Sequence, residues 1–513
     1  MLATALLLAA PAFFQADETV KDFKRFYRKE KDPLAKTELI YSLEGIEDPG
    51  VAQVLMPLLD DKDPLQVEAS LKVLAKLKEA PSRLPLQKPL VDGKPTSLLA
   101  PILLCAADAG WKEFGPLARP YLEAKDDTVR LWAVTLIGAA DDAESLPMVA
   151  GLVTSDDHPL VRAAAVQALV LRGKGREDVA GPPLVAALED ENVSVSTAAC
   201  VGLRTVRTRE AIAPLVKKFQ DGEGRIMEEI WPTLVALTDE PFGPDPEMWA
   251  TWWGRVEGSY QLLTDAEIAK RQAARTASNA QYTMPSKEAT FMGVETASRQ
   301  IVFVIDVSGS MEEEVTAKDA FRERGFTKFR KLDIVKEELS RSIEQLGDNV
   351  YFNVYSFATQ VHPWRKKPVP ANALNKKSAM AWVGKLKPVG GGQASARASA
   401  GLRGSSGLED GRTNTYAALL AGLGIEEDPR KRGPVTEAAA TEPKEVADTM
   451  FFLSDGKPTV GELVDTEDIL QSINDLNRFR KVVIHTIAIG DFTSSFIKQL
   501  AVDNGGVFVD LGR

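Results

Sequence analysis

Apolar residues in this chain follow two different periods. From about residue 35 to 257 they recur three and four positions apart, the spacing that gathers them on one face of a helix. Beyond residue 290 short apolar runs alternate with helical stretches. The runs at 301–305, 350–357, 449–453, 482–489 and 506–510 predict strands. The stretches at 328–346, 376–386, 414–425, 465–480 and 494–503 predict helices. In the first of these Leu332, Val335, Leu339, Ile343 and Leu346 form one stripe. Such alternation predicts a doubly wound α/β domain with a mostly parallel sheet covered on both faces. Ligands of such sheets bind beyond the carboxyl ends of the strands. Between the two halves, residues 258–289 are polar, with one helical stretch at Asp265–Ala277, and read as a linker.

The helical half repeats itself. Asp157-His158-Pro159-Leu160-Val161-Arg162 recurs 33 residues later as Asp190-Glu191-Asn192-Val193-Ser194-Val195, and Arg176-Glu177 recurs as Arg209-Glu210. Asp127-Thr128-Val129-Arg130 and Asp63-Pro64-Leu65-Gln66-Val67 fit the same period upstream. Such a period means stacked helix pairs. The Asp or Asn ahead of each second helix is placed to cap its free amides. Pro147, Pro183 and Pro214 are expected at helix starts, where a missing amide proton costs nothing. These units resemble HEAT repeats, whose Asp-x-x-Val-Arg signature is present at Asp127–Arg130 and loses its Arg in the unit starting at Asp190. The resemblance implies an all-α solenoid over 17–257 that binds proteins or acts as a scaffold. Trp249, Trp252 and Trp253 fall on one helical face, where closing the last repeat is favoured over stacking a ligand.

Composition adds limits. The 513 residues exceed one ordinary domain, and a net charge of −11 argues against nucleic acid or an anionic membrane as the main partner. Residues 1–16 are Leu- and Ala-rich without charge. They read as an export signal cleaved after Ala12 or Ala16, with a short buried helix as the alternative. Export would make the protein periplasmic or extracellular; without it the chain is cytoplasmic. The two cysteines, Cys105 and Cys200, lie in different repeats and are expected as buried free thiols rather than a disulfide. His158, His362 and His485 lack any ligand spacing, and His485 falls inside an apolar strand as a core residue.

The chemistry concentrates where the first strand ends, at Asp306-Val307-Ser308-Gly309-Ser310. One carboxylate and two hydroxyls are hard oxygen donors, suited to Mg²⁺ or Mn²⁺ and unsuited to zinc or copper. Two further segments accompany it: Gly411-Arg412-Thr413-Asn414-Thr415 ahead of a helix, and Phe451-Phe452-Leu453-Ser454-Asp455-Gly456 at a strand end. In order, the three resemble the von Willebrand factor A domain with its metal-ion-dependent adhesion site, over 290–513. That resemblance implies direct ligation by the hydroxyls of Ser308 and Ser310. It implies Thr413 as a ligand directly or through water, and Asp306 and Asp455 acting through waters and by orienting hydroxyls. Thr415 is a weaker alternative ligand. Arg412 departs from the Gly common at its position. Glu312, Glu313 and Glu314 read as a solvated acidic loop.

Three functions compete. The resemblance implies a protein-binding module, not an enzyme, whose metal captures a partner's Asp or Glu while the repeats offer a second surface. In an assembly scaffold the repeats would bind and the metal would be structural. A Mg²⁺-dependent phosphohydrolase using Asp306 is disfavoured: Ser308 stands where a second acid is needed, and no phosphate loop or nearby lysine compensates.

Overall fold

The computed structural model describes residues 18–275, 289–291, 293–390, 411–425, 447–489 and 495–511. The uncharged segment 1–16 lies outside the described residues, as do most of 390–411 and 426–448. Among the described residues no helix is long and apolar enough to cross a membrane. The chain forms two compact units. One holds the helices up to Ala187 together with Thr205–Arg207; the other holds the helices from Leu188 onward and the C-terminal sheet.

Capping starts the repeat helices. In α1 (Asp127–Ala140) Asp126 accepts from the amides of Thr128 and Val129 at 2.9 and 3.1 Å. In α2 (Pro159–Arg172) His158 takes this role through Nδ1, 3.2 Å from the Leu160 amide. In α3 (Val193–Gly202) Asn192 caps Ser194 at 3.0 Å. Small residues let α1 and α2 approach closely: a Cβ on Gly138 would meet that of Ala168 at 2.8 Å. The signature Arg130 ties one repeat to the next, donating through Nε and Nη2 to Asp156 at 2.8 and 3.0 Å. Pro147 occupies the first turn of Leu146–Ser155 as expected. Pro183 does not: with Pro182 it lies inside Glu177–Ala186, because the acidic pair Glu177 and Asp178 starts that helix earlier. Pro214 is the third residue of Ile212–Asp221.

Cys105 and Cys200 are buried free thiols. Burial pushes both thiols up, Cys200 to about 12, so neither is a reactive thiolate at neutral pH. In α4 (Pro246–Val256) Trp249 and Trp253 are buried. Their rings pack with Phe242, Trp252 and Tyr260 at centroid distances of 5.1 to 5.9 Å. The cluster closes the last repeat, with Trp249 and Trp253 inside it and Trp252 half-buried.

The C-terminal sheet follows a short hairpin, β1 (Ala289–Phe291) and β2 (Val294–Thr296). Its strands are β3 (Gln300–Asp306), β4 (Tyr351–Phe357), β5 (Val361–Pro363), β6 (Val369–Pro370), β7 (Thr449–Ser454), β8 (Val483–Ala488) and β9 (Phe508–Asp510). The order is β5-β4-β3-β7-β8-β9, with β6 also on β4. Pairing is parallel from β4 to β9 and antiparallel at β5 and β6. The central strands are apolar on both faces, as burial on both sides requires. One face, with Phe303, Ile305, Phe451 and Leu453, packs with the stripe of α5 (Lys331–Gln345) and with α6 (Ala373–Lys385). The other includes α7 (Thr415–Gly422), whose Gly422 lies so close that an added Cβ would meet Met450 Cε at 2.5 Å. α8 (Thr466–Asn477) and α9 (Ser495–Asp503) complete the helical cover.

The second unit also ties its last repeats to the amino ends of these strands. Buried Arg225 donates through Nη1 to the carbonyl oxygens of Lys481 and Asp448, just ahead of β8 and β7. Glu228 accepts from the Ala297 amide at 2.7 Å and from Thr296 Oγ1 at 3.0 Å, just ahead of β3. Burial pushes the Asp448 carboxyl up to about 6, against the pull of the Arg225 charge. Arg225→Ala, which leaves two carbonyls without this donor and the Asp448 carboxylate without its nearby cation, is expected to destabilise this unit by roughly 2–4 kcal/mol. Urea denaturation checks this, and an unchanged midpoint would refute it.

His485 is a core residue as expected. It stacks on Phe451 at 4.9 Å and accepts from the Val507 amide at Nδ1, 3.0 Å away. Burial lowers its pKa from 6.5 to about 4. Between those values the unfolded chain binds the extra proton. The stability from neutral His485 is therefore complete above pH 6.5 and is lost as pH falls towards 4. Histidine-selective NMR is expected to show one imidazole neutral down to about pH 4. A titration of His485 near its ordinary value would contradict the packing.

Candidate metal centre

The chain leaves β3 for β4 on one side and later returns to β7 on the other, so a topological switch point lies between β3 and β7. The register sets Ile305 beside Leu453. Asp306 therefore ends its strand next to Ser454, and Asp455 follows at once. Ser454 Oγ donates to Asp306 Oδ2 at 2.7 Å, and the Ser308 amide donates to Oδ1 at 2.8 Å. The chain then turns through a short 3₁₀ segment, Gly309–Glu312. That turn brings the Ser308 and Ser310 hydroxyls within 3.2 Å of each other, and Ser310 Oγ donates to Asp455 Oδ1 at 2.7 Å.

The Thr413 segment closes the same end of the sheet. The Gly309 amide donates to the Gly411 carbonyl at 3.2 Å. Thr413 is held by its backbone, its amide donating to Thr459 Oγ1 at 2.8 Å and its carbonyl accepting from the Thr459 amide at 2.9 Å. A Cβ placed on Gly456 would lie 3.8 Å from Thr413 Oγ1, so this hydroxyl faces the turn after Asp455. The need for glycine falls on Gly411, where a Cβ would meet the Val389 carbonyl oxygen at 2.3 Å. Arg412 is exposed, and its amide donates to Thr359 Oγ1 at 3.2 Å, so the loop accommodates it. The Thr415 hydroxyl is buried in the first turn of α7 without a hydrogen-bond partner among the described residues.

Two participants escape sequence inspection. Lys331, the first residue of α5, sends Nζ to Asp455 Oδ2 at 2.8 Å and to Glu313 Oε2 at 2.8 Å. Its side chain is 9% exposed and that of Asp455 is 0%, so the ion pair is buried. Burial alone would lower the Lys331 pKa, but the hydrogen bonds to Asp455 and Glu313 outweigh it and the net shift is upward. The expectation of no nearby lysine is corrected here. A lysine at a helix's positive end is unfavourable unless an anion compensates it, and that was the available signal. Glu313 is exposed as expected of a solvated loop, yet it also holds this lysine. The other is Ser454, whose strand register gives it Asp306. Burial, then the Asp455 charge, raises the Asp306 pKa, while hydrogen bonds from Ser308 and Ser454 hold it down.

This arrangement offers hydroxyl oxygens flanked by two carboxylates and one fixed cation. Among the described residues no group of three or more His, Cys, Asp or Glu is placed to hold a metal.

Known proteins agree with this architecture. The von Willebrand factor type A domain family matches residues 299–403 and 424–510, and HEAT repeats match 115–194. The sheet domain is thus a von Willebrand factor type A domain, and the helical array contains HEAT repeats. Human inter-alpha-trypsin inhibitor heavy chain H4 is 25% identical over 216 residues, which are 42% of this chain and 18% of that protein. Heavy chain H2 of Mus musculus is 27% identical over 213 residues, 41% of this chain and 17% of that protein. The chain thus spans less than a fifth of these relatives. A solved von Willebrand factor type A protein from Catenulispora acidiphila aligns with 42% of this chain and 39% of its own, at 19% identity and a TM-score of 0.27. At that score the fold rests on strand order and the family match.

Lys331→Met keeps the stem but leaves a buried carboxylate without its cation. It is expected to cost roughly 3–5 kcal/mol in the metal-free protein. Guanidinium denaturation in EDTA checks this; a change under about 0.5 kcal/mol would place the pair among weak surface bridges.

Proposed function

We propose that the von Willebrand factor type A domain is a metal-dependent protein-binding module, with Mg²⁺ or Mn²⁺ held at the Asp306–Asp455 end of the sheet. The carrying observation is the chain of contacts from Ser308 Oγ to Ser310 Oγ to Asp455 Oδ1. Mg–oxygen bonds of roughly 2.1 Å set neighbouring ligands roughly 3 Å apart. The 3.2 Å between the two serine hydroxyls suits that geometry. Ser308, Ser310 and Thr413 would supply neutral hydroxyl oxygens. Asp306 and Asp455 would act through water and by accepting hydrogen bonds from hydroxyls, which leaves serine lone pairs free for the cation. When bound, the ion supplies a Lewis-acidic position that an Asp or Glu of a partner protein can fill.

Lys331 supports capture over a purely structural ion. It neutralises part of the charge of Asp455, so a bound dication keeps more of its own for an incoming carboxylate. The repeats would supply a second interaction surface. The arrangement is poor for phosphohydrolysis by Asp306, even with a lysine nearby. Both Asp306 oxygens accept hydrogen bonds and the residue is fully buried, which holds a carboxylate in place and does not present it as a nucleophile.

Titration calorimetry of the full chain with Mg²⁺ and Mn²⁺ tests the reading. A single site is expected, together with a rise of a few degrees in Tm at saturation. Asp306→Ala and the double variant Ser308→Ala/Ser310→Ala are expected to abolish both while retaining helix and sheet signals in circular dichroism. Equal binding by these variants would sink the proposal.

A further inference from the structure

Between Asp348 and Glu409 the chain carries no acidic residue, although Asp and Glu make up 73 of 513 residues. At that rate about eight would be expected in this segment. It carries nine lysines and arginines instead, in a chain with net charge −11. The described part, 349–390, folds as one edge of the sheet: β4, the antiparallel β5 and β6, and α6.

The fold strings the cations along this edge. Arg365, Lys366, Lys377, Lys385 and Lys387 are all exposed. Lys377 and Lys385 lie eight residues apart on α6 with exposed Ala381 between them, the i, i+4, i+8 positions of one helical face. Arg365 reaches the same helix, its Nη2 lying 3.4 Å from Ser378 Oγ. Lys336 adds a charge at the carboxyl end of α6, donating to the Leu386 carbonyl at 2.9 Å. On the adjoining α5, Glu337 and Glu338 face Arg341 of the same helix, while Asp333 lies near Lys336 and offsets part of its charge. Asp348 lies 3.8 Å from Lys376, so Lys376 is left out of the row.

The row runs to the metal centre. α6 begins beside the start of β4, where the Ala371 amide donates to the Val350 carbonyl at 2.7 Å. Past its end, the Val389 amide donates to the carbonyl of Val307, next to Asp306, at 2.8 Å. The helix alone spans roughly 20 Å at 1.5 Å per residue.

We propose that these cations form a track for an acidic segment of the protein partner whose carboxylate the metal centre takes, an inference that rests on the function proposed above. The segment would place one carboxylate at the centre and lay others along Lys387, Lys385, Lys377 and the Arg365–Lys366 turn. Protein is favoured over nucleic acid by the ring at the track. Trp364 stacks on Phe352 at 5.3 Å and is covered by Arg365 at 4.8 Å, which leaves no platform for a base. Lysine ammonium groups also act as point charges, suited to irregularly spaced carboxylates.

Fluorescence anisotropy of the full chain with a labelled oligoglutamate peptide, in Mg²⁺ at moderate salt, tests the track. Lys377→Glu/Lys385→Glu/Lys387→Glu is expected to weaken binding about tenfold or more, since charge reversal opposes both encounter and contact. Lys62→Glu/Lys125→Glu/Lys217→Glu changes net charge equally on exposed residues elsewhere and is expected to bind nearly as the parent does. Matching thermal melts exclude misfolding. The track falls if its reversal leaves the affinity unchanged. It also falls if a DNA oligonucleotide or phosphatidylserine vesicles bind more tightly than the peptide. Titration in EDTA separates the two readings. If EDTA changes nothing while charge reversal weakens binding, the metal reading fails and the track stands. If EDTA abolishes binding while charge reversal has no effect, the track fails and the metal reading stands.

Discussion

The C-terminal domain is organised by the parallel pairing of β3 with β7 across the switch point of the sheet. That register puts Asp306 against Ser454 and Asp455 against Ser310. Two carboxylates are thereby brought together inside a largely apolar sheet, where their repulsion and burial need compensation. The compensation is local and specific. Ser308 and Ser454 hold Asp306, while Lys331 and Ser310 hold Asp455. Each carboxylate oxygen thus has a donor, and the serine hydroxyls are turned by the acids they serve.

The same pairing dictates what the rest of the domain must do. Both faces of β3 and β7 are covered, so the strands read as unbroken apolar runs and end only where chemistry begins. α5 brings Lys331 to the site from one face. The Thr413 loop reaches it from the start of α7, with Gly411 allowing the close pass by Val389. The amino ends of the strands are occupied differently, by Arg225 and Glu228 of the last repeats. Among the described residues, site and repeat contacts therefore use opposite ends of one sheet.

Most of this domain was legible in the sequence because strand runs and helix stripes are local patterns. Ile301–Ile305 and Phe451–Leu453 announce buried parallel strands, and the three motif segments carry their own order. Which anion answers Lys331 was not legible. Its partner lies 124 positions away, and only the fold brings them together. The β5 and β6 edge was missed because strands of three and two residues leave no period to read. Pro183 misled because proline marks a helix start only when nothing upstream starts it sooner; Glu177 and Asp178 did. The contacts of Arg225 with the sheet were equally hidden, since they are made to carbonyl groups that carry no sequence signal. Arg412 departs from the glycine common at its position, yet the steric constraint falls one residue earlier, at Gly411.

Anomalous diffraction from crystals of the full chain soaked in Mn²⁺ tests the central claim most directly. The account predicts one strong peak within bonding distance of the Ser308 and Ser310 hydroxyls, with Asp455 still paired to Lys331. A peak elsewhere, or none at this position with the Lys331–Asp455 pair intact, would contradict it.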